Sequence, residues 1–310
     1  MRQKLFKIIA KFPEYQSVPE LSLTFVLKQR IRLFLLYFGT LILTTKRQKE
    51  KLQKTKTLKN SKIGKSVILC ASGPGGDKFL NDLIVKPKKL NNIDIAVVNS
   101  FYKNKFSDSV VPNYYFLSDP YFWENTPSAN KSRKDIIKCL AKNMNCYLVI
   151  PFLNEPFIEL SRTLFINNLV YFKKNKDLSP IKGNLTPSSV VFHAISFLSF
   201  LGYKPIYVNG LDASFHTTIS VNKANEMFMH IDKLYGDQKD EYIFDRSPQI
   251  NTSNRDVPPR SVSELLAAES VMLRDLNFYS HHGLVNIGDD TTNDALPRAS
   301  LWQHPSIQDD

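Results

Sequence analysis

The residues best suited to chemistry begin at Ser72, where Gly73, Pro74, Gly75 and Gly76 follow a short apolar run, SVILCA (66–71). A helical pattern carrying Phe79, Leu80, Leu83 and Ile84 comes next. Glycines between a strand and a helix let backbone N–H groups and the helix N-terminus approach a phosphate. A G-x-G-x-x-G fingerprint would need glycine where Lys78 stands, and no G-K-[ST] follows. The loop is therefore neither a dinucleotide fingerprint nor a P-loop. Three more apolar runs end in polar or small residues, at Asn99-Ser100, Ser118-Asp119 and Gly210-Leu211-Asp212. Asn99 and Asp119 suit hydrogen bonding to a ribose or a pyrimidine edge, and capping of the following helices is their alternative use.

Two histidines are candidates for a general base near neutral pH, His216 in GLDASFH and His230 in NEMFMHIDKLYGD. Each reads equally as an exposed loop histidine. His193 lies among apolar residues of a helix and reads as a satisfied core histidine, while His281-His282 stand at a helix end. No D-x-D, H-E-x-x-H or Cys/His cluster occurs, so neither a metal site nor a cofactor is expected.

The elements that position these residues are legible from the apolar pattern. IDIAVV (93–98), YYFL (114–117), CYLVI (146–150), LVYF (169–172), PIYVN (205–209) and LVNI (284–287) read as strands beside 66–71. Helices are expected after the glycine loop, over 188–201 with Gly202 as its stop, and over 261–279. Apolar strands alternating with helices predict an α/β fold, a mostly parallel sheet with helices on both faces. Ligands in such sheets bind beyond the carboxyl ends of the strands, where the polar residues collect.

Among 310 residues the formal net charge is +12, and its placement is uneven. Residues 1–65 hold sixteen Lys/Arg against three acids, so the rest of the chain is close to neutral. Residues 33–43, LFLLYFGTLIL, carry no charge but are shorter than the roughly 20 apolar residues of a membrane-crossing helix. Lys28, Arg30 and Arg32 before them, and seven lysines and arginines from Lys46 to Lys59, suit anionic headgroups. The expectation is a membrane-surface helical segment over 1–65, with packing on the folded domain as its alternative. A catalytic domain over 66–310 follows. A nucleic-acid partner is not expected, because the folded body is near neutral in net charge. Cys70, Cys139 and Cys146 make no disulfide framework and suggest a reducing compartment.

ILCASGPGG (68–76), VVNSFY (97–102), FLSDPYFWE (116–124), LTPSSVVFHAISFLSFLGYKPIYVNGLD (185–212) and LVNIG (284–288) follow a familiar order. In that order the chain resembles bacterial CMP-sialic-acid-dependent sialyltransferases. It also resembles related polysaccharide-biosynthesis proteins that share a domain with the 6-hydroxymethylpterin pyrophosphokinase-like family. The resemblance covers about residues 66–300 at motif level. It implies a Rossmann-like domain with a lid, near 213–260 here, and a metal-independent transferase using a CMP-sugar donor. Ser72, Gly73 and Pro74 match the donor loop, and Asn99 the cytidine-binding Asn. Asp119 stands where the family has Asn, and Ser188 and Ser189 match its Ser near the helix start. The family's catalytic lid His has no counterpart in INTSNRDVPPR (250–260), which leaves His230 as base and His216 second. Another CMP-linked acidic sugar fits as well as sialic acid.

The implied acceptor is a glycan or glycolipid, reached from the cytoplasmic face of the inner membrane. The oligomeric state, a homo-oligomer included, stays open. Two other classes compete: a magnesium- and ATP-dependent pyrophosphokinase-like phosphotransferase, and a non-catalytic nucleotide- or glycan-binding membrane scaffold.

Overall fold

The computed structural model describes most residues from 46 to 299; 1–45, 152–159, 168–178, 182–188, 232–239, 244–265, 300–310 and some shorter stretches lie outside the description. Seven strands form one parallel sheet: β1 (Val67–Cys70), β2 (Asp94–Val98), β3 (Tyr114–Phe116), β4 (Tyr147–Pro151), β5 (Thr163–Ile166), β6 (Ile206–Asn209) and β10 (Leu284–Asn286). Their order is β10-β6-β1-β2-β3-β4-β5, and every neighbouring pair is parallel. This is the expected Rossmann-like α/β sheet. β1, β3 and β6 are buried along their whole length, as apolar strands covered on both faces must be.

Side chains alternate between two cores. On one face Phe79, Leu80 and Leu83 of α2 (Gly76–Val85) join Ile136 and Leu140 of α3 (Pro127–Ala141) over Ile68, Val97, Tyr115 and Tyr207. On the other, α4 (Val190–Leu201) lies across β1, β2, β3 and β6. Phe197 of α4 packs edge-on against Phe116 and Tyr114, with ring centroids 5.5 and 6.0 Å away. Ser189 caps α4 by accepting the Val191 N–H at 3.3 Å. Gly202 closes it at φ 94°, a left-handed cap that side-chain-bearing residues rarely take.

The described part of the basic segment packs on this unit. α1 (Lys46–Lys56) runs beside the edge strand β5, whose Phe165 N–H donates to the fully buried Thr55 hydroxyl at 3.1 Å. A helix laid along an edge strand satisfies amides that would otherwise stay open to another chain. The N–H groups of Asn60 and Lys62 then donate to the last carbonyls of α4, Phe200 and Leu201, at 3.0 and 2.8 Å. Lys62 Nζ pairs with Asp94 at 2.8 Å. Burial alone would lower its pKa, but the Asp94 hydrogen bond and the neighbouring Tyr114 leave it raised. Lys54, Lys56, Lys59 and Lys65 remain exposed.

Two expectations change. The strand after β4 is Thr163–Ile166, a buried TLFI run; the stretch 169–172 lies outside the described residues. His193 is buried as expected, but neither ring nitrogen finds a partner among the described residues. Burial lowers its pKa to about 4. The unfolded chain therefore binds the extra proton first, between roughly pH 6.5 and 4. Stability from this group is full above pH 6.5 and falls as pH drops toward 4, by on the order of 3 kcal/mol. Urea unfolding at pH 7 and 4.5 should show this loss, and the H193L variant should show a flatter dependence.

Residues beyond β6 contain a second sheet. Antiparallel β7 (Ile219–Val221), β8 (Met227–Ile231) and β9 (Asp240–Ile243) pair in that order within a separate compact unit. These strands fall inside the stretch expected to act as a lid.

Candidate functional site

The chain builds β1 to β5 outward in one direction, then returns to place β6 on the other side of β1. In an open α/β sheet such a switch point, beyond the carboxyl ends of its strands, is where ligands bind. Both loops were singled out from the sequence, at 72–76 and 210–212.

The structure joins these loops tightly. The Ala71 N–H donates to Asn209 O at 2.8 Å and the Gly73 N–H to Gly210 O at 2.7 Å. The Gly75 N–H donates to Asp212 Oδ2 at 2.8 Å. Gly76 N–H reaches Gly73 O at 3.2 Å, and Asn209 Nδ2 donates to Gly76 O at 3.2 Å. The amides of Gly73, Gly75 and Gly76, expected to face a phosphate, thus point into the protein. A Cβ on Gly73 would lie 2.4 Å from Asp212 Oδ2 and 2.5 Å from Gly210 O. Ser72 is exposed beside them, and Pro74 lies outside the described residues.

After β2, Asn99 takes φ 41°, a left-handed conformation uncommon for a residue with a side chain and often found at functional sites. Tyr115 holds it there: its hydroxyl donates to Asn99 O and accepts the Tyr102 N–H at 3.1 Å. Asn99 Oδ1 accepts the Ser118 N–H at 3.4 Å, which brings the ends of β2 and β3 together. Ser100 follows in the same short 3-10 turn and is half-buried. Asp119 is exposed, and its Oδ1 accepts the Tyr121 N–H at 3.0 Å, capping the 3-10 turn Pro120–Trp123. The alternative use, capping, is thus observed for Asp119 Oδ1.

Three residues not singled out as site residues stand at the same edge. The hydroxyl of Ser118, Oδ1 of Asn209 and Nδ2 of Asn286 are buried at the carboxyl ends of β3, β6 and β10. None of these three atoms finds a partner among the described residues. Leaving such a group unmade costs about 1–3 kcal/mol, so buried polar atoms without a partner are uncommon in a folded protein. Asn286 Oδ1 accepts the Gly288 N–H at 3.0 Å, and a Cβ on Gly288 would stand 3.9 Å from Asp212 Oδ1. The end of β10 thus lies beside the end of β6. The available signal was an asparagine ending each of two buried apolar strands.

Ser189 uses its hydroxyl to cap α4, while Ser188 and His216 lie outside the described residues. His230 sits in β8 with its backbone paired to Glu241, in the compact unit that holds the antiparallel sheet; its side chain lies outside the described residues. Cys70, the last residue of β1, is a buried free thiol pushed up to about 12 by burial, as Cys146 is. Neither is a nucleophile at neutral pH. Among the described residues no group of three or more His, Cys, Asp or Glu could hold a metal ion. Among them also, no helix is long and apolar enough to cross a membrane.

The fold defines a class: an open, parallel, Rossmann-like α/β sheet whose strand order reverses between β1 and β6. No family model matches the chain, and no curated protein does. Among solved structures the chain is similar to the MAf glycosyltransferase from Magnetospirillum magneticum AMB-1, at 12% identity and a TM-score of 0.45. The likeness covers 82% of this chain and 38% of that one, so this chain spans well under half the length of its neighbour. An overlap this loose places no residue of one chain on a residue of the other.

Proposed function

We propose that the crevice binds a cytidine nucleotide, and that the protein is a metal-independent glycosyltransferase using a CMP-activated acidic sugar, sialic acid or a similar one. The observation that carries this reading is the edge of buried, unpartnered polar side chains, Ser118, Asn209 and Asn286, around a switch-point crevice. Hydroxyl and carboxamide groups of both hydrogen-bonding senses suit a nucleoside, with its mixed donors and acceptors, better than a bare anion. The order of the sequence motifs from 68 to 288 supports the same class.

In this mechanism His230, or His216 in second place, takes the proton of an acceptor hydroxyl. That oxygen attacks the anomeric carbon, the bond to the CMP phosphate breaks, and CMP leaves with the bonding pair. The glycine amides are already engaged, so hydroxyls such as those of Ser72 and Ser188 are left to meet the departing phosphate. The acceptor is a surface glycan or lipid-linked saccharide. Exposed Lys54, Lys56, Lys59 and Lys65, together with the basic sequence before them, hold the enzyme at the anionic cytoplasmic face of the inner membrane.

The test is sugar transfer from a panel of CMP-linked acidic sugars to a lipid-linked acceptor. The H230A variant should lose about 10²- to 10⁴-fold in kcat, the usual range for a lost general base. Full turnover by H230A would remove His230 from the mechanism. ATP consumption that requires Mg²⁺ would move the protein to the phosphotransferase class.

A further inference from the structure

We infer that Asp212 is a positioning residue: its carboxylate holds the loop after β1 in place, so that one wall of the crevice is formed before a ligand arrives. The inference rests on the nucleotide reading only for what the crevice binds. Asp212 is 3% exposed at the end of β6, and its Oδ2 accepts the Gly75 N–H at 2.8 Å. Every second residue of the β1 loop is thereby tied to the β6 end: Ala71 to Asn209 O, Gly73 to Gly210 O, and Gly75 to Asp212. The first two ties are backbone to backbone. The third depends on one side chain contributed from 137 positions further along the chain.

The two glycines fit this carboxylate. A Cβ on Gly73 would stand 2.4 Å from Oδ2 and 2.9 Å from Cγ, and one on Gly75 would stand 2.8 Å from Oδ1. Both glycines therefore make room for Asp212. Gly210, at φ 68°, turns the chain after β6 toward the same loop. A phosphate on the amides of 73, 75 and 76 would have to break hydrogen bonds already made and sit beside a buried carboxylate. The loop instead acts as a rigid wall whose shape Asp212 sets, and a wall built in advance adds affinity without ordering cost on binding.

Amide exchange on the full chain, paired with CMP titration, tests this. In D212A, exchange at Gly75 should rise about tenfold or more, and CMP affinity should fall by a similar factor, as expected when a hydrogen bond to a charged group is lost. Exchange across β1 and β6 should stay as in the wild type. D212N keeps an oxygen for the Gly75 N–H and should restore both readouts to within about threefold. Unchanged exchange in D212A would overturn the inference. So would a D212N variant with wild-type exchange and the full CMP loss, because Asp212 would then act on the ligand by its charge. Should D212A fail to fold, the wild type decides: Gly75 exchanging at an unprotected rate overturns the assignment. Should the wild type bind no CMP, the nucleotide reading fails, and the exchange arm still decides the role of Asp212.

Discussion

Replacing Gly73 with valine is expected to destabilise the protein by about 3 kcal/mol or more, the upper end of what overpacking costs. The first carbon of any side chain at this position would meet Gly210 O at 2.5 Å and Asp212 Oδ2 at 2.4 Å. One obstacle is backbone, held by its own hydrogen bond from Gly73 and by the φ of 68° at Gly210. The other is a buried carboxylate fixed by Gly75. Neither can withdraw without opening the joint between β1 and β6. Gly64 supplies the control: it also has a positive φ, 78°, but a Cβ there meets nothing within 4 Å. G64A should cost only the left-handed strain, about 1–2 kcal/mol, in the same urea titration.

The largest loss of stability is expected from F197A, at about 3–5 kcal/mol. Phe197 is fully buried in the middle of α4, against Tyr114 and Phe116 of β3. Truncation there removes the aromatic contacts and leaves a cavity between a helix and a sheet, neither of which can close over it. F197L keeps most of the volume and should lose less than about 1.5 kcal/mol. Urea unfolding of both variants measures the difference.

Much of the sheet was legible in the sequence for a simple physical reason. Six of its seven strands are mostly buried apolar runs, and each stops at a small or polar residue near its end. β5 escaped because it is only four residues long and opens on Thr163, between Ser161-Arg162 and Asn167-Asn168. The basic stretch 46–65 is the described part of the segment 1–65, whose charge suits a membrane surface, and it also packs on the sheet. Its anchors are the hydroxyl of Thr55, two backbone amides and the Lys62–Asp94 pair, none of which a charge count registers.

The site divides in the same way. That the glycine loop and Asp212 would share one end of the sheet followed from strand order. That the loop's amides would be spent on the β6 end did not, because the partners are more than 130 positions apart. Asp119, read as suited to a ribose or pyrimidine edge or to capping, caps a turn, and the buried hydroxyl beside it belongs to Ser118. Asn209 and Asn286 read only as residues of the strands 205–209 and 284–287, and they carry unpartnered groups among the described residues. Their significance lies in burial, which a sequence does not print.

The most direct measurement is calorimetric titration of the full chain with CMP, in the presence of Mg²⁺ and again with EDTA. Saturable binding of one CMP per chain is expected, equal in both conditions to within about twofold, with a melting temperature that rises with CMP by mass action. An absence of CMP binding, together with ATP binding that requires Mg²⁺, would contradict it.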